Sequence, residues 1–89
     1  MEFKIFLHPK AAKSLERLNG KTRVRIKQAL KEMATSPEKA GKQLQLSDFW
    51  SLRIGGYRAI YEIDRERNHV IVIFIGHRKN VYDEFAKMF

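Results

Sequence analysis

Apolar and polar residues alternate loosely over residues 2–7, a period of two that predicts a first strand. Pro9 suits the first turn of a helix, because the amide hydrogen it lacks would have no partner there. A helix is expected from Pro9 to about Leu18, with Asn19-Gly20 as its stop. A second helix is expected over residues 21–35. Val24, Ile26, Ala29, Leu30 and Met33 make its apolar face, and Arg23, Arg25, Lys27 and Lys31 populate the rest. Ser36-Pro37 ends it, since the residue before proline is pushed out of the helical region. These two elements predict a helical hairpin with a basic exterior.

Residues 38–49 read as a connecting loop. Three strands follow, over residues 50–54, 57–63 and 69–76. Gly55-Gly56 between the first two is a two-residue hairpin turn, because glycine accepts positive φ. Residues 64–68 form a longer polar turn. Residues 70–75 are six consecutive apolar residues rich in β-branched types, which predicts a central strand covered on both faces. A short C-terminal helix is expected over residues 81–88. The order β-α-α-β-β-β-α predicts an α+β fold, with the helical hairpin packed on one face of a mainly antiparallel four-stranded sheet.

The two-residue turn also sets a register. Ile54 should face Tyr57, Arg53 should face Arg58, and Leu52 should face Ala59. Trp50, Leu52, Ile54, Tyr57, Ala59, Tyr61 and Ile63 then line an apolar face toward the helices. Ser51, Arg53, Arg58, Ile60 and Glu62 line the other. Like charges directly opposite are unfavourable by some tenths of a kcal/mol, so a sheet shaped by folding alone would avoid the Arg53–Arg58 pair. Either the pair binds an anion such as phosphate, or acidic groups such as Glu62 or Asp64 neutralise it, or the guanidinium groups splay into water. His77, Arg78 and Tyr82 come just past the central strand, where a rigid element can hold site residues in the open. Guanidinium groups bind phosphates and aromatic rings stack on bases, so the set points to single-stranded RNA.

Composition strengthens this. The chain has 89 residues, 18 Lys plus Arg against 10 acids, and a net charge of +8. Residues 1–36 carry nine basic and three acidic residues, so the surplus is concentrated in the expected helical hairpin. That points to a polyanionic partner, with solubility alone as the plainer alternative. The length predicts one domain over residues 1–89. There is no cysteine, which rules out disulfides and thiolate zinc sites and fits a reducing cytoplasm. Neither a signal peptide nor a membrane span is expected, and no metal or other cofactor is called for.

The segments Phe49-Trp50-Ser51-Leu52-Arg53-Ile54, Gly56-Tyr57-Arg58-Ala59-Ile60-Tyr61 and Gly76-His77-Arg78-Lys79-Asn80-Val81-Tyr82 resemble the successive strand motifs of the RelE/ParE toxin superfamily. Their order after a helical hairpin carries the resemblance over nearly the whole chain. The RelE-like branch implies a toxin of a type II toxin–antitoxin system: a metal-independent endoribonuclease that cleaves mRNA in the ribosomal A site and so inhibits translation. It also implies a cognate antitoxin as partner. By this resemblance Arg58 matches the arginine of the Gly-Tyr-Arg segment, Arg53 a basic position on the preceding strand, Arg78 the arginine after the last strand, and Tyr82 the tyrosine near the C-terminus. His77 occupies a place held by lysine or histidine. The chain departs from some relatives in having Ser51 where a second basic residue stands, and Gln43 near the place of a loop glutamate that serves as base.

The expected chemistry is attack of a ribose 2′-OH on the adjacent phosphate. Arg53, Arg58 and Arg78 would stabilise the phosphate charge, His77 would move protons, and Tyr82 would stack on a base or orient the leaving nucleotide. Lys13, Arg17, Arg23, Arg25, Lys27 and Lys31 would dock on RNA phosphates. A ParE-like inhibitor of DNA gyrase is the alternative, and a non-catalytic binding module is a third. The antitoxin is expected to be acidic and partly disordered when free. Phe85, Met88 and Phe89 make an apolar stripe that either covers the sheet or yields its place to an antitoxin helix.

Overall fold

The computed structural model describes residues 2–88. The elements in chain order are β1 (Lys4–Leu7), α1 (Pro9–Glu16), α2 (Gly20–Met33), α3 (Pro37–Ala40), β2 (Lys42–Gln43), β3 (Phe49–Ile54), β4 (Tyr57–Asp64), β5 (His69–His77) and α4 (Val81–Met88). The α+β class is as expected, but the sheet has five strands, in the order β1-β5-β4-β3-β2. The stretch read as a loop holds α3 and the short strand β2, which pairs antiparallel with β3. β1 pairs parallel with β5, and the other pairings are antiparallel. Among the described residues no helix is long and apolar enough to cross a membrane.

Asn19-Gly20 starts a helix rather than stopping one. The Asn19 side chain accepts a hydrogen bond from the Thr22 amide at 2.9 Å, an N-cap for α2, and Gly20 is its first residue. The His8 imidazole caps α1 in the same way, accepting from the Lys10 amide, with Pro9 in the first turn as expected. Arg23 donates to the Glu16 carbonyl at 3.2 Å and ties the start of α2 to the end of α1.

The main core lies between the helical hairpin and the sheet. Ala11 and Leu15 of α1 and Ile26, Leu30 and Met33 of α2 meet Ile54, Ala59, Tyr61, Val70, Val72 and Ile75. Trp50, Leu52, Tyr57 and Ile63 pack at its margin, so the predicted apolar row of the β3–β4 hairpin is the row that is buried. Val24 is not part of this face: it is 67% exposed, because α2 turns Ile26, Leu30 and Met33 inward instead.

β5 sits between β1 and β4 and is covered on both sides, as its apolar run predicts. A shift in the ladder lets Ile60 pair with Phe74 and Tyr61 with Val72, leaving Ile73 as the extra residue of a bulge. The shift reverses the alternation, so that Val70, Val72 and Ile75 all reach the main core. On the opposite face a smaller cluster of Ile60, Phe74 and Val81 packs with Phe49 and Phe85. The helices are therefore not all on one face: α4 covers the second. Of the expected C-terminal stripe, Phe85 stands edge-on to Phe49 at 5.1 Å, covering the chain's own sheet, while the Met88 side chain and Phe89 lie outside the described residues.

Buried Tyr61 fixes the segment that became α3 and β2. Its hydroxyl donates to the Pro37 carbonyl at 2.6 Å and accepts from the Gly41 amide, and burial pushes its pKa up to about 12. The buried phenol is held neutral, so its contribution to stability is present below the ordinary tyrosine value near pH 10 and is lost as the pH rises toward 12. Tyr61→Phe is expected to cost about 1–2 kcal/mol near neutral pH, because the Pro37 carbonyl loses its donor. Urea unfolding should show a shallower loss of stability between pH 10 and 12 in the variant than in the parent. Equal slopes would mean that Tyr61 is not the titrating group.

Candidate functional site: an arginine–serine–tyrosine chain on the open sheet face

The β3–β4 register is the predicted one: Ile54 opposite Tyr57, Arg53 opposite Arg58, and Leu52 opposite Ala59. Of the two turn glycines only Gly55 has positive φ, at +60°, as a type II′ turn requires. Arg25 of α2 lies over this turn, where a Cβ on Gly55 would stand 3.0 Å from its Nη1.

Cross-strand partners share a face of a sheet, so Lys42, Ser51, Arg53, Arg58 and Gly76 come to one side. α4 covers the Ile60 and Phe74 end of that face, and the hairpin end stays open. Arg58 donates from Nη1 to Ser51 Oγ at 3.2 Å, and Ser51 Oγ lies 3.1 Å from the Tyr82 hydroxyl. Ser51 is only 2% exposed. Arginine can only donate, so Ser51 must accept from it. Ser51 thus joins Arg58 of the sheet to Tyr82 of α4, whose side chain is 41% exposed.

Among the described residues no acid forms an ion pair with Arg53 or Arg58. Among the described residues the ion pairs are Arg65–Glu38 at 3.1 Å and Arg67–Asp64 at 3.0 Å, both involving the turn at the opposite end of β4. The hydrogen bond from Arg67 holds the Asp64 carboxyl below its ordinary range, so that acid is already engaged. Glu62 makes no ion pair with either arginine. Arg53 is exposed and donates from Nε to the Gly55 carbonyl at 3.4 Å.

His77 and Arg78 sit differently. His77 pairs with Tyr57, and the two rings stand edge to face at 5.8 Å. This register puts His77 on the side of the helical hairpin, while Gly76 stands opposite Arg58. His77 reaches Arg53 around the hairpin end, in an open hollow lined by both with Gly55, Gly56, Arg78 and Lys79. Its Nδ1 accepts from the Lys79 amide at 3.3 Å, so a neutral ring carries its proton on Nε2. The Arg78 amide donates to the Gly56 carbonyl at 2.9 Å, which docks this turn on the hairpin. A second hollow, lined by Lys39, Ala40, Gly41, Lys42, Ser51, Arg53 and Arg58, opens toward β2. Arg53 borders both.

Of the residues the sequence points to, the structure thus gathers Arg53, Arg58 and Tyr82 on one face and sets His77 and Arg78 at its rim. Ser51, Lys39 and Lys42 are additions. Ser51 reads in sequence as a missing cation, and the two lysines fall in the stretch taken for a loop. Of the helical cations, Lys13 and Arg17 line a hollow with Lys10, Ser14, Phe74 and Glu84, Arg25 lies at the hairpin, and Lys27 and Lys31 are exposed on α2. Among the described residues no cluster of three His, Asp or Glu side chains gathers to hold a metal.

The family model for the ParE toxin of the type II toxin–antitoxin system parDE matches residues 5–82. The chain belongs to the RelE/ParE superfamily of type II toxins. Toxin RelG of Mycobacterium tuberculosis is 34% identical over 56 residues, 61% of this chain and 64% of that protein's length, so the chain spans under two thirds of the curated relative it matches. A variant of the E. coli toxin RelE in the free state, with two arginines changed to alanine, superposes with a TM-score of 0.79 at 30% identity, covering 99% of this chain and 98% of that one. The intact E. coli RelBE toxin–antitoxin complex matches with a TM-score of 0.72 at 29% identity, covering 84% and 95%.

If the Arg53–Arg58 pair is uncompensated, removing one charge relieves the sheet. Arg53→Thr is expected to raise stability by a few tenths of a kcal/mol at low ionic strength. The gain should vanish above about 0.5 M salt, where screening already removes the repulsion. Urea titrations at the two ionic strengths check this, and a destabilised variant at low salt would show that Arg53 has a structural partner.

Proposed function

We propose that this RelE/ParE toxin is an endoribonuclease that cleaves mRNA, on the ribosome at the A site, and so inhibits translation. The observation that carries the reading is the Arg58–Ser51–Tyr82 chain beside Arg53, a cationic face to which no carboxylate among the described residues is paired. The ribose 2′-OH attacks the adjacent phosphorus, its proton passes to a base, and the 5′-oxygen leaves with a proton, giving a cyclic phosphate and a 5′-hydroxyl. Arg58 and Arg53 stabilise the charge on the pentacovalent phosphate, and Arg78 adds to it from the rim. Arginine cannot act as the base, because a guanidinium stays protonated. His77 is the titratable group at the rim and moves a proton there. Tyr82, held by Ser51, offers a ring for a base to stack on and a hydroxyl beside the phosphate.

So few acid–base groups suit an enzyme whose substrate is aligned by something else, and the ribosome fills that role. The helical cations Lys13, Arg17, Arg25, Lys27 and Lys31 dock on ribosomal RNA, while Arg23 is partly engaged with Glu16. The partner that silences the toxin is an antitoxin of complementary, acidic charge. The net +8 and the likeness to RelE in the E. coli RelBE complex support it. The family model, being that of ParE, favours a second reading, a gyrase inhibitor that cuts no RNA.

Arg58→Ala and Arg78→Ala are each expected to relieve growth arrest and to lower mRNA cleavage on translating ribosomes, Arg58→Ala by about 100-fold or more. Full cleavage by both would sink the assignment. Gyrase-dependent DNA breaks with intact mRNA would establish the second reading instead.

A further inference from the structure

Lys42 lies directly across from Ser51, on the same face as Arg53 and Arg58, and lines the hollow that opens beside them toward the sheet edge. We propose that Lys42 forms a flanking-phosphate subsite for a single strand of RNA that crosses the sheet from β5 toward β2, a proposal that rests on the reading of the Arg58 site above. Lys42 on β2 and Arg58 on β4 are two strand spacings apart, about 10 Å. One phosphate cannot span that width, whereas successive phosphates of a strand can. Neutral Ser51 lies between the two cations, so Lys42 and Arg58 serve neighbouring phosphates. Lys42 is exposed and, among the described residues, in no ion pair, so its ammonium group is available.

A two-residue strand at a sheet edge would not by itself hold a lysine in place. The Tyr61 hydroxyl does, by bonding the Pro37 carbonyl and the Gly41 amide on the two sides of α3. Gly41 completes the clamp: a Cβ there would run into the Tyr61 hydroxyl and stand 2.8 Å from the Ser51 carbonyl. The close approach of this segment to β3 therefore depends on glycine. Tyr61 is a positioning residue for Lys42, acting from the opposite side of the sheet.

The test uses the full chain and two 2′-O-methyl oligoribonucleotides that cannot be cleaved, a pentanucleotide and a dinucleoside monophosphate, with binding followed against salt. Lys42→Ala is expected to weaken pentanucleotide binding about five-fold at low salt and to reduce the slope of log affinity against log salt by about 0.7. Dinucleotide binding should be unchanged. Lys42→Arg should keep the slope, and Tyr61→Phe should move pentanucleotide binding toward that of Lys42→Ala. Equal weakening of both probes by Lys42→Ala would overturn the inference, because Lys42 would then share the phosphate of Arg58. No effect of Lys42→Ala alongside a clear loss in Arg58→Ala would remove the subsite and leave the site intact. No effect of either would remove the site reading along with it.

Discussion

The positive φ of Gly55 is the constraint on which the rest of the sheet depends. A residue with a side chain is strained there, and its Cβ would crowd the Arg25 guanidinium at 3.0 Å. With that turn closed in two residues, only one register remains for β3 and β4. A slip by one would send Ile54, Ala59 and Tyr61 to the open face and bring the arginines under the helices. The hydrophobic effect of the main core therefore enforces the same register as the turn. The Arg53–Arg58 pairing is a by-product of two stronger terms, worth several kcal/mol against some tenths for the repulsion.

The second device is the bulge at Ile73. β5 must feed the main core at Val70, Val72 and Ile75, and strict alternation cannot do so. The extra residue resets the phase, so that Phe74 and Gly76 then point to the α4 side. Gly76 opposite Arg58 matters for the site. A Cβ there would stand 3.0 Å from the Phe74 ring and 3.3 Å from Val81, so a side chain at residue 76 would crowd the start of α4, which packs close to the strand. That closeness brings Tyr82, the next residue, within reach of Ser51.

Much of this was legible in the sequence, for identifiable reasons. Long apolar rows and the Gly-Gly turn carry strong signals, so α1, α2, β3, β4, β5 and the Arg53–Arg58 register could be read without coordinates. Asn19-Gly20 was ambiguous, because asparagine caps a helix start as readily as it ends one, and only the contact to Thr22 decides. β2 was invisible: two residues, Lys42 and Gln43, have no period, and their pairing is imposed by Tyr61 and Gly41 from elsewhere in the chain. Ser51 could be placed on the arginine face, but its part in the site could not be read, for a different reason. Its importance is relational, lying in what Arg58 and Tyr82 do through it, and a small neutral residue announces nothing by its type.

The placement of His77 has the largest consequence for chemistry. In sequence it adjoins Gly76 and Arg78, and proximity alone would put it among the arginines. In the sheet, successive side chains alternate, so Gly76 takes the position across from Arg58 and His77 goes to the other side, against Tyr57. The group best able to exchange a proton is therefore at the rim, while the groups that hold charge are on the face. Charge stabilisation can be built into a rigid sheet because it needs only fixed donors. Proton transfer needs the donor and acceptor within hydrogen-bond reach of the reacting oxygen, and on the proposed function His77 would meet that oxygen around the end of the hairpin rather than across it. On the proposed function, Arg53, the one side chain that borders both hollows, would link the phosphate held at Arg58 to the proton exchanged at His77.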